Sequence, residues 1–398
     1  MLLLFEPLTR PVALIGCDIL AAPIAAVLRG WRCRDVSAAP ETPPIITIRK
    51  TSKGYGLESY WRSSMVVYRN EVDAVCSFIV DLIKSSVAAD PSLLCHLHAA
   101  AAEFAGRLVV FPSRYEAGKS LLSGHLAAAG MRVYADDVLP IKSRANTAVA
   151  PGVLPRLRRP LPDGVAAEFR NYVRRHSGLR NQRFIYLEVD AANLAVKGKE
   201  APIGAFVLLR REPGGRPELT PVNRSEMLKR VILQNFAGKV PATDILERLH
   251  NLVEAAQCFR LRYGAADEAA ELLRQRFKGW PARRRSCVPE RSARASVSGK
   301  SPDGAVTGDL RRASGIHERR VGDELFLVSS AGEAIYHLNF VGAALWRLLD
   351  QPIRLQDAMD VLQKAFPTVP EAQIEHDVGT IVADLAKRGL IIGPEKNR

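Results

Sequence analysis

No two cysteines in this chain stand in a CxxC pair, and none of the six (Cys17, Cys33, Cys76, Cys95, Cys258, Cys287) sits at metal-ligand spacing beside a histidine. That scatter points away from a disulfide framework or a structural zinc, and a reducing, cytoplasmic compartment is expected. Also missing is an uninterrupted apolar run of the roughly 18 residues that a membrane span requires. The opening MLLLFEPLTRPVALIGCDILAAPIAAVLRG is apolar, and LIGC superficially resembles a lipidation box. But no basic segment precedes it, Glu6 and Arg10 interrupt it, and Pro7, Pro11 and Pro23 break it. Buried strands and a helix are expected there rather than a signal peptide, an anchor or a membrane contact. Nor is any internal repeat visible.

What is present is enough chain for two domains: 398 residues exceed the size at which one core usually stops growing. With 47% hydrophobic and 25% charged residues the composition is that of a globular protein. The net charge of +14 is unevenly spread, since Pro281 to Arg320 holds ten Lys or Arg against four Asp or Glu. That tract has few large apolar residues and many Ser, Gly, Pro and Arg, so it reads as a linker, placed at 281–315. A second basic cluster, PRLRRPLPDGVAAEFRNYVRRHSGLRNQR, carries eight arginines inside the first domain. It reads equally as solvated surface or as a site for an acidic or phosphorylated ligand.

The linker separates a first domain, 1–280, from a second, 316–398. In the first, EVDAVCSFIVDLIKSSV places Val72, Val75, Ile79, Leu82 and Ile83 on one helical face. The run RLVVFP predicts a buried strand, GKSLLSGHLAAAG a helix ended by Gly130, and RVYADD the next strand. Later come a strand in AFVLLRR, helices in SEMLKRVILQNF and DILERLHNLVEAA, a strand in CFRLRYG and a last helix before Trp280. Strands alternating with helices predict a mixed α/β fold. The second domain predicts a hairpin in DELFLVSSAGEAIYHLN, three helices and a short closing strand in GLIIG, a winged-helix-like α+β shape.

The stretch FPSRYEAGKSLLSGHLAAAGMRVYADD has the parts of a phosphate-binding loop. Such loops aim backbone N–H groups at phosphate oxygens, add a lysine for the β/γ-phosphates and use a Ser or Thr hydroxyl on magnesium. Gly118, Lys119 and Ser120 stand at the expected strand-to-helix junction, and Asp136 with Asp137 follows on the next strand, where carboxylates can hold Mg²⁺ and accept a proton. Two departures stand out: Ser113 replaces the first glycine, and Glu116 occupies a position usually small. Arg114 could offset the charge of Glu116. His96 and His125 lack such partners and read as structural.

Together these residues, in LHAAAAEFAGRLVVFPSRYEAGKSLLSGHLAAAGMRVYADDVLPI, resemble the core of the HPr kinase/phosphorylase-related kinases over about residues 60–275. The resemblance implies a P-loop α/β domain that binds ATP and Mg²⁺ and transfers phosphate to a Ser, Thr or Asp of a peptide or protein. It implies catalytic roles for Asp136, Asp137 and His98, with the histidine near the transferred phosphate. It implies nucleotide contacts at Ser113, Arg114, Gly118, Lys119 and Ser120, and magnesium on Ser120 and Asp137. Arg156, Arg158 and Arg159 fall where the family keeps a Pro/Arg segment near the site.

Residues 322 to 392 resemble the PqqD family, through Leu338, Asn339, Leu345, Trp346, Asp377, Val378 and Leu385 to Ile391. Members bind leader segments of ribosomally made peptides and present them to modifying enzymes. An open hairpin edge with apolar pockets from a neighbouring helix suits that mode. Tyr336 and Leu338 on the strand, with Ile374, Val378 and Ile381 at helical spacing, are the expected contacts; the same helix positions, and Trp346, could equally form the core. Glu371, Glu375 and Asp377 early on the last helix would repel phosphates, so nucleic acid is not the expected partner.

The implied protein is a kinase that captures a precursor peptide or small protein through its second domain and phosphorylates it, alongside another modifying enzyme and with self-association open. The alternative is a non-catalytic peptide chaperone that keeps a degenerate nucleotide site.

Overall fold

The computed structural model describes residues 1–36, 42–113, 117–236, 240–280, 309–329, 332 and 334–393. Arg114, Glu116 and most of the expected linker lie outside them. The chain forms two compact units, Met1–Val240 with Glu247–Gly279, and Pro241–Leu246 with Trp280–Arg398. No helix among the described residues is long and apolar enough to cross a membrane.

The first unit opens with β1 (Leu2–Phe5), β2 (Val12–Ile15), α1 (Ala21–Val27), β3 (Cys33–Asp35), β4 (Ile46–Thr51), β5 (Gly54–Ser59) and β6 (Val66–Tyr68). The six strands form one sheet in the order β3-β1-β2-β4-β5-β6. So the apolar N-terminus is buried strands and a helix, as its prolines and charges predict: Val12, Leu14, Leu20, Ile24 and Val27 are all buried. Next, α2 (Glu71–Ala89) starts at Asn70, whose side chain accepts the Asp73 N–H. Its predicted apolar face is buried, and the one carboxylate on that face, Asp81, is met by Arg62 at 2.6 Å and Ser59 at 2.8 Å. A buried charge needs such partners.

The central sheet comprises β7 (Leu93–His98), β8 (Ala100–Phe104), β9 (Arg107–Phe111), then, after α3 (Lys119–Ala128), β10 (Arg132–Ala135), β11 (Val138–Lys142) and β12 (Thr147–Val149). A small satellite follows: β13 (Arg156–Arg158), α4 (Ala167–Arg175), β14 (Ser177–Arg180) and β15 (Phe184–Leu187), its strands ordered β13-β15-β14. The chain returns to the central sheet with β16 (Glu200–Arg211) and β17 (Glu218–Pro221), and after α5 (Arg224–Leu233) and α6 (Ala242–Ala255) with β18 (Gln257–Tyr263); α7 (Ala266–Phe277) closes the unit. The twelve-residue β16 runs parallel to β9 and β18 but antiparallel to β12. Only the predicted helix–strand alternation around β9, β16 and β18 gives parallel pairs in this sheet; the rest of it is antiparallel.

Within the sheet the segment 93–104 faces 132–142 as one long antiparallel ribbon, with Ala101 opposite Ala135 and His98 opposite Val138. Between those pairs Ala99 and Ala100 face Asp136 and Asp137 outside the ladder. The aspartates therefore follow the end of β10, as the sequence predicts, and sit in the break before β11. Out of the ladder, their side chains can turn into a common cavity.

The second unit contains β19 (Arg311–Arg312), the antiparallel sheet β20 (His317–Val321), β21 (Glu324–Val328), β22 (Ile335–Leu338), helices α8 (Phe340–Leu348), α9 (Leu355–Ala365), α10 (Glu371–Lys387), and β23 (Ile391–Ile392). Asn339 caps α8 by accepting the Gly342 N–H at 2.9 Å, which accounts for the Leu-Asn pair before the helix. Trp346 is fully buried, with its indole N–H on Glu318 at 2.7 Å. The expected linker at 281–315 ends too late: Leu310 is buried in this core, and β19 pairs with β23. Its arginine-rich composition hid a strand only two residues long, whose pairing partner lies some 80 positions away.

Candidate functional site

Lys119 begins α3 directly after Gly118, which is left-handed at φ +88°. A side chain at 118 would be strained, and its Cβ would stand 2.4 Å from the Tyr263 hydroxyl. That hydroxyl donates to the Ala117 carbonyl at 3.1 Å, so the end of β18 clamps the loop. Lys119 is buried, with Nζ donating to the Ser113 carbonyl at 2.7 Å. Burial pulls its pKa down, while Asp137 and Asp136 pull it up.

Across a cavity of about 330 Å³, Lys119 and Ser120 face Asp136, Asp137, His98, Arg156 and Arg158. His98 Nε2 meets Asp137 Oδ1 at 3.0 Å, and the Arg156 guanidinium lies 3.5 Å from Oδ2. Asp136 Oδ2 accepts the Arg156 backbone N–H at 3.0 Å, whereas its buried Oδ1 has no hydrogen-bond partner. The two carboxyls are driven apart. Burial, reinforced by the charge of Asp137, raises Asp136; burial also pushes Asp137 up, but the His98 hydrogen bond and the charges of Arg156, His98 and Lys119 bring it below the usual range. Such divergence separates a carboxylate held ionised, Asp137, from one whose charge needs a cation or a proton beside it, Asp136.

Sequence reasoning placed most of these residues together, with two corrections. Ser113 does not line the cavity: its hydroxyl accepts the Leu209 N–H at 2.8 Å, so the residue replacing the first glycine braces β16 and offers only its carbonyl to Lys119. Arg159 also turns away, donating to the Asn181 carbonyl at 2.7 Å and lining a different cavity. Both follow from tertiary partners about 20 to 100 positions distant. Two residues were missed: Tyr263, and Arg211 at the end of β16, which lines the cavity. Neither belongs to a local motif.

The histidines read as structural are buried. His96 has no partner on either ring nitrogen, and His125 stacks on Phe169 with centroids 3.7 Å apart. Burial pushes both down to about 4. Below their unfolded pKa near 6.5 the unfolded chain takes up protons that the folded chain refuses, so stability is full above about pH 6.5 and falls toward pH 4. We expect the urea midpoint of the chain to drop over that interval. His96→Phe, which leaves no orphaned nitrogen, should flatten part of the fall; an unchanged pH profile would contradict this.

In the second unit Leu338, Ile374 and Val378 are core residues, 8%, 3% and 0% exposed. Of the expected peptide contacts, Tyr336 and Ile381 remain partly open, with the Arg388 guanidinium 4.8 Å from the Tyr336 ring. Helical spacing could not separate core from contact face. Among the described residues β22 pairs only with β21, leaving its other side open.

The fold and site thus define a mixed α/β unit with a charged cavity, followed by a small unit of helices around a three-stranded sheet. Residues 324–391 match the family described as coenzyme PQQ synthesis protein D (PqqD), so the chain carries a PqqD domain at its C-terminal end. One similar solved structure, "TbiB1 in Complex with the TbiA(beta) Leader Peptide", is 22% identical and covers 21% of this chain and 95% of that one, at a TM-score of 0.20. No curated protein matches the chain.

Proposed function

We propose that this protein is an ATP-dependent kinase of the HPr-kinase-related type that phosphorylates a ribosomally made precursor peptide or small protein captured by its PqqD domain. The observation carrying this reading is the opposition of Lys119 and Ser120, at the start of a helix, to two carboxyls with divergent pKa values across one arginine-lined cavity. Lys119 and the backbone at the α3 N-terminus would bind the β/γ-phosphates of ATP. Among the described residues no three His, Cys, Asp or Glu gather as a metal cluster. Magnesium beside phosphates needs only one or two carboxylates, and Asp136, whose Oδ1 has no partner and whose carboxyl interacts with the Ser120 side chain, suits it. Bound there, the ion would neutralise phosphate charge.

Asp137, held by His98 and Arg156, would accept the proton of the attacking hydroxyl as its oxygen bonds to the γ-phosphorus and ADP leaves. Arg156 and Arg158 would stabilise the charge on the transferred group. The peptide would add along the open side of β22, with Tyr336 and Ile381 receiving side chains. Capture raises the local concentration of the acceptor, so weak recognition by the first unit suffices. The chain would act in peptide natural-product biosynthesis.

A non-catalytic chaperone is the second reading, favoured by one observation: the Lys119 ammonium already donates to the Ser113 carbonyl at 2.7 Å. Calorimetric titration of the full chain with ATP separates the two. The kinase reading expects saturable binding below millimolar nucleotide that requires magnesium. No heat at millimolar MgATP would leave the chaperone.

A further inference from the structure

A cavity of about 730 Å³ in the first unit is not used by the mechanism above. It lies in the satellite built by β13, α4, β14 and β15. Aliphatic side chains of Leu161, Val173 and Ile185 line it, together with Arg159, Arg170, Arg174 and Arg180. Each guanidinium is held only by neutral oxygens. Arg159 donates to the Asn181 carbonyl at 2.7 Å, and Arg170 to the carbonyls of Pro162, Val165 and Asp163 at 2.6, 3.1 and 3.2 Å. Arg174 donates to the Asn171 side chain and Arg180 to the Ser177 hydroxyl. None of the four pairs with a carboxylate among the described residues, although ion pairs are common elsewhere in this chain. Four like charges around one cavity repel one another and favour an anionic occupant.

The cavity adjoins the proposed catalytic one, because Pro160 and Leu161 line both. We propose that this groove docks an acidic segment of the peptide substrate, which crosses Pro160 and Leu161 to bring its acceptor residue to Asp137. The proposal rests on the kinase reading for the identity of the substrate as a peptide. Guanidiniums bind carboxylates in bidentate pairs, and an aliphatic floor accepts the side chains between them. Single-stranded nucleic acid is the weaker match, because bases stack on aromatic rings and the lining has none. A lone phosphate would leave the aliphatic floor uncovered.

The test uses a fluorescein-labelled peptide of alternating glutamate and leucine, eight residues long, and the full chain. Fluorescence anisotropy should show binding that weakens with salt and falls at least tenfold in Arg174→Glu/Arg180→Glu. Both side chains are exposed, so the fold should survive. A charge-matched control, Arg274→Glu/Arg276→Glu on α7, should bind like the parent. Equal binding by both double variants would overturn the groove. So would displacement of the peptide by millimolar inorganic phosphate, which indicates a small-anion site, or by lower concentrations of an oligothymidine, which indicates nucleic acid. Calorimetry with MgATP on the same proteins separates the two readings. Peptide binding lost in the groove variant while the parent fails to bind MgATP sinks the kinase alone; unchanged peptide binding with intact MgATP binding sinks the groove alone.

Discussion

Asp137→Asn is expected to lower phosphate transfer by about 100- to 10,000-fold, the range associated with loss of a general base. The substitution keeps the shape of the side chain and its ability to accept from Arg156 or His98, which now contact its two oxygens at 3.5 and 3.0 Å. What it removes is the capacity to take a proton. Peptide capture by the second unit, followed by anisotropy with a labelled leader peptide, should be unchanged. MgATP affinity should change far less than the rate. Transfer monitored with γ-labelled ATP that proceeds at the parental rate in this variant would dismiss Asp137 as the base. Asp136→Asn provides the contrast: its Oδ1 is the unpartnered buried atom, so magnesium dependence, more than proton transfer, should suffer.

The second large effect concerns Lys119. Lys119→Ala should raise the dissociation constant for MgATP by roughly 10- to 150-fold, which corresponds to losing one hydrogen bond to a charged group, about 1.5–3 kcal/mol. Nucleotide binding would require Nζ to leave the Ser113 carbonyl, 2.7 Å away, for phosphate oxygens. That exchange moderates the net gain and explains why the expected loss is not larger. Because the alanine also removes a buried stem, Lys119→Met should be measured beside it: it fills the same space without the charge. If both variants bind MgATP with parental affinity, the cavity is not a nucleotide site. If both lose affinity while their urea midpoints stay near the parent's, charge rather than packing is responsible.

Much of this architecture was legible locally. The helical face of α2, the strand of β9, the Gly130 stop of α3 and the three C-terminal helices all follow from periodicity and capping over a few residues. The convergence of Lys119, Ser120, Asp136, Asp137 and His98 was readable because three short segments, adjacent in sequence order, carry all five. Beyond that range local signals fail. Helical spacing placed Ile374 and Val378 on the face that is in fact the core of the second unit, since an apolar stripe looks the same whether a neighbour or a ligand covers it. A two-residue strand such as β19 has no periodicity to detect, and its partner β23 is far along the chain.

The sequence by itself determined which residues can do chemistry and roughly which elements bear them, because residue type and short-range spacing are properties of the chain. Only the tertiary structure decided which way those groups point. The break in the ribbon at Asp136 and Asp137 exists because 93–104 pairs with 132–142 on either side of it. The Ser113 hydroxyl turns to the Leu209 N–H, and Tyr263 reaches the Ala117 carbonyl because β18 aligns parallel to β16. The four arginines around the satellite cavity become one charged surface only when β14 and α4 fold beside β13 and β15. Each of these outcomes depends on hydrogen bonds and packing between segments far apart in the chain, which neighbouring residues alone do not encode.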